Sequence, residues 1–361
     1  MTAAARHANR PLSIGSPLRG QLRRFLAVTG FTLFASILVS VFLMPLAYMT
    51  ATAFKSETQT STPGAPLFPA APQTFEYEGE VYDVYQVPTE DGVLHSWALI
   101  EAHREDSIFI DPENVDAGPI TWVGRWRTLE QSWSFQLDWD SFTRAWEILN
   151  FPRMFFNTFA IAALSTIGAV LSAICVAYGF SRFRFPGRNG LFLMMLATII
   201  LPFQVTLIPT YAVFFALGWV GTWLPLIIPH FFANAYNVFL LRQYFLTIPR
   251  DLDEAAMIDG AGPFRILRSV IVPQAIPAIV AVTLFHFFWA WNEYFLPLVY
   301  LQSTPDLQPL SVGLGRFNSL YSGEPTVIQA AAIMAMLLPV VVFFVAQRAF
   351  MRGVVFGGVE K

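Results

Sequence analysis

The sequence predicts an all-α polytopic membrane protein of about six transmembrane helices, with a small extracytoplasmic β-rich insertion between the first and second. Three observations carry that class. Of 361 residues, 55% are hydrophobic and only 13% charged, against about 25% charged in a soluble globular chain. The charges are uneven: apolar runs of about 20 residues, the length that crosses a bilayer, alternate with short basic loops. One stretch, 51–151, breaks the pattern with dense acidic residues and apolar–polar alternation.

Residues 1–24 carry Arg6, Arg10, Arg19, Arg23 and Arg24 and no acid, and read as a cytoplasmic tail. The apolar run Phe25 to Met49 follows. Ala51-Thr52-Ala53 imitates a signal-peptide cleavage site. A signal peptide has an apolar region of only about 7 to 15 residues, so 25–49 is read as a retained first span. Further spans are expected at 154–180, 191–215, 224–245, 278–301 and 327–347, within a transmembrane core of 152–347. Arg182, Arg184 and Arg188 follow the second span, and Arg242, Arg250, Arg265 and Arg268 flank the loop 246–276. Arg348, Arg352 and Lys361 lie in the tail 348–361, whereas the loops near 218–223 and 303–326 offer only Arg316. Positive-inside bias therefore assigns 246–276 and both termini to the cytoplasm. Prolines at Pro202, Pro209, Pro225, Pro229, Pro297 and Pro339 interrupt several spans, as in many packed bundles.

By that topology, 50–151 lies outside the cytoplasmic membrane. Residues 56–73, rich in Pro, Thr and Ser, read as a flexible linker. Strands are expected at Phe75–Glu78, Val81–Val87, Val93–Ile100 and Ser107–Ile110, with turns at Thr89–Gly92 and His103–Asp106. They make a meander of three or four strands, followed by an amphipathic helix around Asp140–Leu149. A sheet this small is marginal alone in water, so it is expected to pack on the bundle or on a partner.

The stretch from Ile248 to Pro277 is the longest run of charged and small residues in the second half. Pro249 ends what precedes it and Asp251 suits a helix N-cap. Asp253 and Glu254 fall in the first turn, where carboxylates complement the helix dipole. Leu252, Ala255, Ala256 and Asp259 share a face, and Gly260 can supply a left-handed C-terminal cap. A second helix can restart at Pro263 and run through Phe264, Ile266, Leu267 and Val270 to Pro273.

This helix-turn-helix resembles the coupling loop, or EAA motif, of bacterial ABC importer permeases, in the sugar-importer branch and similar to the maltose-type second permease subunit. Glu254-Ala255-Ala256, then Gly260, and Pro273 match the family's spacing, and Asp259-Gly260-Ala261 has the form typical of the sugar branch. Val270-Ile271-Val272-Pro273 stands where the family usually has Ile-x-Leu-Pro, an apolar exchange. The tail Gly353–Val359 is also similar to that subunit's, though not identical. The resemblance covers 25–50 and 140–361 and leaves the insertion unexplained. It implies a permease that moves a sugar into the cytoplasm, an oligosaccharide or glycoside, with an α-glucoside a further guess prompted by the long insertion. Coupling to a separate ATPase would run through 251–270, with Asp253, Glu254, Ala255, Ala256, Asp259, Gly260, Phe264 and Arg265 as the docking residues. The implied partners are a second permease subunit, two ATPase subunits holding ATP and Mg, an extracytoplasmic sugar-binding protein, the sugar and membrane lipid.

Ionisable residues at membrane depth are costly and mark functional sites by default. The fifth predicted span carries His286, Trp289, Trp291, Asn292 and Glu293, of which His286, Trp289 and Glu293 share a helix face. Aromatic faces stack on sugar rings, and Asn and Glu take hydroxyl hydrogen bonds, so these residues with Asn237 form the predicted substrate pathway. Trp289, Trp291 and Tyr294 fit equally well as an interfacial aromatic belt with Glu293 at the water boundary. Asn157, Gln204, Asn234, Gln329 and Asn237 itself are weaker candidates that read first as interhelical hydrogen-bond formers.

The single cysteine, Cys175, excludes an intrachain disulfide and reads as a small core residue. No phosphate-binding loop, zinc spacing or nucleophile elbow is present, so no cofactor is assigned to this chain and ATP hydrolysis belongs on another. Nothing points to nucleic acid. Three rivals remain. A membrane-embedded enzyme built on His286 and Glu293 lacks a second convergent acid or metal set. A sensor reading through 75–110 calls for a signalling domain, and an ion-coupled carrier calls for an inverted repeat, neither of which is evident.

Overall fold

The computed structural model describes residues 17–89, 92–320 and 323–355. Arg6, Arg10, Glu90, Asp91 and the tail from 356, with Lys361, lie outside the described residues. The chain divides into two units, one ending at Ala51 and one beginning at Thr52. The described part of the first belongs to helix α1, Pro17–Ala53, whose 37 residues contain Pro45 and whose last two fall in the second unit. At 1.5 Å per residue it is longer than the roughly 30 Å hydrocarbon core requires.

The second unit opens with α2, Glu57–Ser61, capped by Ser56 Oγ, which accepts from the Gln59 amide at 3.2 Å. Here the flexible linker expected over 56–73 is corrected. The Gln59 side chain is buried, donates to the carbonyls of Pro66 (3.0 Å) and Phe68 (2.7 Å), and accepts from the Ala70 amide (3.0 Å). One amide group thus satisfies three backbone groups of a Pro-rich loop that has no ladder of its own, a compensation that composition does not reveal.

Strand β1, Ala70–Pro72, pairs antiparallel with β8, Trp133–Phe135. Between them run β2 (Thr74–Tyr77), β3 (Glu80–Pro88), β4 (Leu94–Glu101), β5 (Asp106–Ile110) and β6 (Ile120–Val123), an antiparallel meander in that order, with β7 (Glu130–Gln131) on the other edge of β3. The predicted strands are all present, and β6 adds a fifth. Glu78 and Gly79, with φ of 52° and 84°, close a two-residue hairpin in which Tyr77 faces Glu80. Alternation loads both faces: Val84, Ala98 and Ile110 pair across one, and Val87, Trp97 and Phe109 are buried on the other.

Helix α3, Asp140–Ile148, packs on the bundle, and Asn150 at φ 46° turns the chain into α4, Phe151–Arg182. This 32-residue helix is the centre of the unit. Ala162, Ala169, Ala173 and Ala177 are fully buried along it and let neighbouring backbones approach closely. At Gly168 a Cβ would fall 2.5 Å from the Phe231 ring, so the approach there requires glycine. Cys175 is corrected: it lies on the exposed side of α4, not in the core.

Helices α5 (Arg188–Ile200) and α6 (Phe203–Ala216) replace the predicted third span and meet at 98° across Leu201-Pro202. Pro202 lacks an amide hydrogen and cannot continue α5. Next come α7 (Leu224–Ile227), a 3₁₀ turn, and α8 (Ala235–Thr247), which Asn234 caps by accepting from the Tyr236 and Asn237 amides. Asn234 is therefore a cap, and not an interhelical hydrogen-bond former. Helix α9 (Asp251–Ile258), α10 (Pro263–Ile266), a π-helical turn at Leu267–Ile271 and α11 (Val272–Gln274) form the loop, and α12 (Ile276–Asn292) leaves at 81° to the segment ending at Gln274. Pro273 does not stop the second loop helix as expected, because the π turn before it leaves its missing donor unneeded. The chain finishes with α13 (Phe295–Tyr300), α14 (Leu310–Leu320) and α15 (Pro325–Val355). Among the described residues four helices are long and apolar enough to cross a membrane, and six if each bent pair counts as one span.

Ion pairs fasten the module end. Arg144 on α3 pairs with Glu57 and, at 2.7 Å, with Glu324, while Arg153 on α4 pairs with Asp306. Asn157, expected between helices, instead donates to the carbonyls of Asp306 and Gln308 at 2.8 and 2.9 Å.

Candidate functional site

The loop from Arg250 to Gln274 is built as an exposed tip on a buried root. Helix α9 starts at the residue predicted as its cap: Asp251 is its first residue, and Arg250 occupies the cap position. Three acids in the first turn offset the unpaired amides there. Its end is a Schellman motif, with the Ala261 amide donating to Ala256 (2.9 Å) and the Gly260 amide to Met257 (3.0 Å). Gly260 has φ of +77°, the left-handed value expected of it.

The tip is apolar. Ile258 is 87% exposed and Phe264 75%, flanked by exposed Met257 and Leu252, and Glu254, Ala255, Asp259 and Arg265 are also exposed. Ala256 is half-buried. Four large apolar side chains are thus left uncovered by this chain on one charged loop.

Asp253 is different. It turns inward, and its Oδ2 lies 2.9 Å from Arg182 Nε at the end of α4, with both side chains buried. Beside this ion pair Arg182 Nη2 donates to the Ile248 carbonyl (3.0 Å), Arg250 to Ser181 (3.4 Å) and Tyr178 Oη to Pro263 (3.1 Å), while Arg182 Nε and Asp253 Oδ1 make no hydrogen bond. Below these bonds Ile266 and Ile271 pack with Ala173, Ala177, Leu241 and Phe245. Burial pushes the Asp253 carboxyl above the ordinary carboxylate range, and the Arg182 and Arg250 charges offset part of that. Asp253 therefore faces its own chain and not a docking surface. Arg182 escaped the sequence reading because positive-inside bias already accounted for it.

The residues predicted on the fifth span separate. His286 is buried, with its Nδ1 3.2 Å from Asn237 Nδ2 and its ring 4.9 Å from that of His230, a neighbour that sequence reasoning did not select. Trp289 is half exposed and packs edge-on to His230. With Gln204, Tyr236 and Glu293 it lines an open groove of about 540 Å³. Trp291 is buried between Phe155 and Phe287 and presents no free face. Asn292 is spent on the Phe288 carbonyl at 2.8 Å. Helix α12 ends at Asn292, so Glu293 is not on its face; its Oε1 accepts from the Phe295 and Leu296 amides, both at 3.0 Å, and so caps α13.

Comparison with known proteins agrees with this geometry. Residues 165–355, which include α9 and its root, match the family described as binding-protein-dependent transport system inner membrane component. The osmoprotective compounds uptake permease protein GgtD of Synechocystis is 36% identical over 211 residues, 57% of this chain and 70% of that protein. The sn-glycerol-3-phosphate transport system permease protein UgpE of Agrobacterium fabrum is 35% identical over 209 residues, 57% of this chain and 73% of that protein. A chain from the crystal structure of a bacterial ABC transporter involved in importing the acidic polysaccharide alginate superposes with a TM-score of 0.65 at 20% identity, covering 91% of this chain and 97% of that one. A family match over more than half the sequence, with the exposed loop inside it, makes this chain a member of the inner-membrane components of binding-protein-dependent transport systems, the ABC importer permeases.

Proposed function

We propose that the chain is a non-enzymatic transmembrane subunit of an ATP-driven importer for a sugar-type substrate, an oligosaccharide or glycoside, with α-glucosides among the candidates. One observation carries this reading: the exposed apolar tip formed by Met257, Ile258 and Phe264 is rooted in the central helix by a buried ion pair. A tip that only covered the chain's own core would be buried, and a tip without a root could not transmit force. The partners are a second permease subunit, two ATPase subunits carrying ATP and Mg, and a sugar-binding protein outside. The loop and both termini face the cytoplasm, and residues 52–150 face outward.

In the mechanism, the ATPase contacts Glu254, Ala255, Asp259, Arg265 and the apolar tip. Its closure displaces α9, and the Arg182–Asp253 and Tyr178–Pro263 bonds pass that displacement to α4. Helix α4 packs on α8 and α12, which carry Asn237 and His286, so the same rigid body reaches the polar region. The open groove beside Trp289 holds the sugar, with the indole against a ring face and Gln204 and Glu293 near its hydroxyls. Trp291 and Asn292 serve the scaffold. The name of one relative, which refers to sn-glycerol-3-phosphate transport, supports a hydroxylated cargo.

The test is affinity purification of the tagged chain from membranes, followed by identification of what accompanies it. A second permease and an ATPase are expected with the native chain, and the ATPase alone is expected to be missing with Glu254→Lys. Recovery without any ATPase overturns the reading.

A further inference from the structure

The β-rich module holds a second groove, far in sequence from the loop and the α12 residues. It has a volume of about 700 Å³, within the range of about 300 to 1,000 Å³ usual for small-molecule sites. One wall is the segment Thr62 to Phe68, and the other is Tyr85 on β3 with Trp126 to Trp133. The first wall is pre-organised, because Gln59 fixes the carbonyls of Pro66 and Phe68 and Lys55 Nζ adds a 3.0 Å bond to Pro66.

The groove's chemistry is uniform along its length. Phe68, Tyr85, Trp126 and Trp133 supply rings, of which Phe68 is 52% exposed. Tyr85 and Trp126 meet at 74° with centroids 5.9 Å apart, and the Arg127 guanidinium sits 5.0 Å from the Trp126 ring. Between the rings lie Arg127, Glu130 and Gln131. Among the described residues neither Arg127 nor Glu130 is in an ion pair, although other charged residues of the unit are. Burial, with Asp83 adding, raises the Tyr85 phenol above its ordinary value, so it stays a hydrogen-bond donor at physiological pH.

We infer that this groove is a saccharide-binding subsite of the module, taking two or three sugar units of an oligosaccharide. Ring faces with unspent donors and acceptors beside them fit a ligand that offers both C–H faces and a hydroxyl fringe. One cation and one anion on the same rim disfavour a strongly charged ligand. A proline-rich peptide would also stack on such rings, but it offers few hydroxyls to Glu130, Gln131 and Arg127. The inference rests on the sugar-importer reading and on the outward position of 52–150. It gives the module a task that the family match, which begins at residue 165, leaves unassigned. The subsite receives a sugar chain before it reaches the membrane.

The experiment uses the full chain with its partner subunits in nanodiscs, probed on an array of neutral and acidic oligosaccharides and with a proline-rich peptide. Binding to at least one neutral oligosaccharide is expected. Trp126→Ala should weaken it roughly tenfold, the scale of one lost aromatic contact. Trp126 also packs on the module core, so Glu130→Gln and Arg127→Ala, both at exposed positions, serve as the second pair and should each weaken binding about threefold or more. Glu254→Lys should bind as the native chain does while failing to transport. A silent array, binding that all three groove variants leave unchanged, or binding of the peptide alone overturns the inference. Saccharide transport with a silent array removes the subsite and leaves the importer reading intact. Groove-dependent binding without any saccharide transport does the reverse.

Discussion

Arg182 on α4 and Asp253 on α9 face each other at 2.9 Å, both buried, and so join the centre of the helical unit to its exposed loop. A buried pair of this kind is not a cheap source of stability. Desolvation consumes much of the attraction, and removing one partner strands the other, at about 3 to 5 kcal/mol. Its value here is rigidity: two elements joined by residues 71 positions apart in sequence are held as one body.

Asp253 gives this pair a pH signature. Its folded-state pKa is raised by burial, so the folded chain binds more protons than the unfolded one above the ordinary carboxylate value. Stability from this group is therefore greatest at low pH and is lost as pH rises through the folded pKa. Arg182→Met removes the largest opposing charge and raises that pKa further. The thermal midpoint of Arg182→Met is expected to fall more steeply than that of the native chain as pH rises above the ordinary carboxylate value, and Arg182→Met with Asp253→Asn should flatten the slope. Parallel slopes in all three proteins would show that the pair does not titrate as a unit.

Gly260→Val should uncouple without unfolding. A Cβ at φ of +77° costs on the order of 1 kcal/mol or more, which redirects α10 while leaving the apolar helices untouched. Transport per inserted molecule is expected to fall about tenfold, with the amount of inserted protein reduced much less. Equal losses in both quantities would point to simple misfolding.

The two tryptophans of α12 should behave oppositely. Trp291→Ala empties a buried site between Phe155 and Phe287 and is expected to cost about 3 to 5 kcal/mol, read as lower abundance and an earlier thermal midpoint. Trp289→Ala touches a half-exposed ring and should keep abundance while weakening transport. Normal transport by Trp289→Ala would assign this ring to the lipid boundary, where an aromatic belt requires it.

Sidedness has a direct test. In a Cys175→Ala background, a cysteine replacing the exposed Val93 should react with a membrane-impermeant maleimide in intact cells, and one replacing Asn189 should not. The opposite pattern reverses the topology and removes the coupling mechanism with it.

Much of the loop was legible because its signals are local. Acids in a first turn, Gly260 after Asp259 and Pro263 at a helix start each act within a few residues, and α9 and α10 form where they indicate. The meander was legible for the same reason: period-two alternation and the turn signals at Thr89–Gly92 and His103–Asp106 need no distant partner. What stayed hidden depends on contacts across long sequence distances. Gln59 looks like any linker glutamine until Pro66, Phe68 and Ala70 surround it, and Arg182 looks like a charge at a membrane boundary until Asp253 meets it. The break at Glu293 was hidden differently. Its sequence reads as a continuing span, and only the capping of α13 shows that one carboxylate oxygen, Oε1, is already committed.

The Arg144 bridge has a consequence for the order in which the protein is made. Arg144 and Glu57 are both synthesised early, whereas Glu324 lies 180 residues beyond Arg144 and leaves the ribosome only after most of the helical unit. A nascent chain can thus close the first half of the bridge at once but must wait for α15 to close the second. Until then the early module is fastened on one side only.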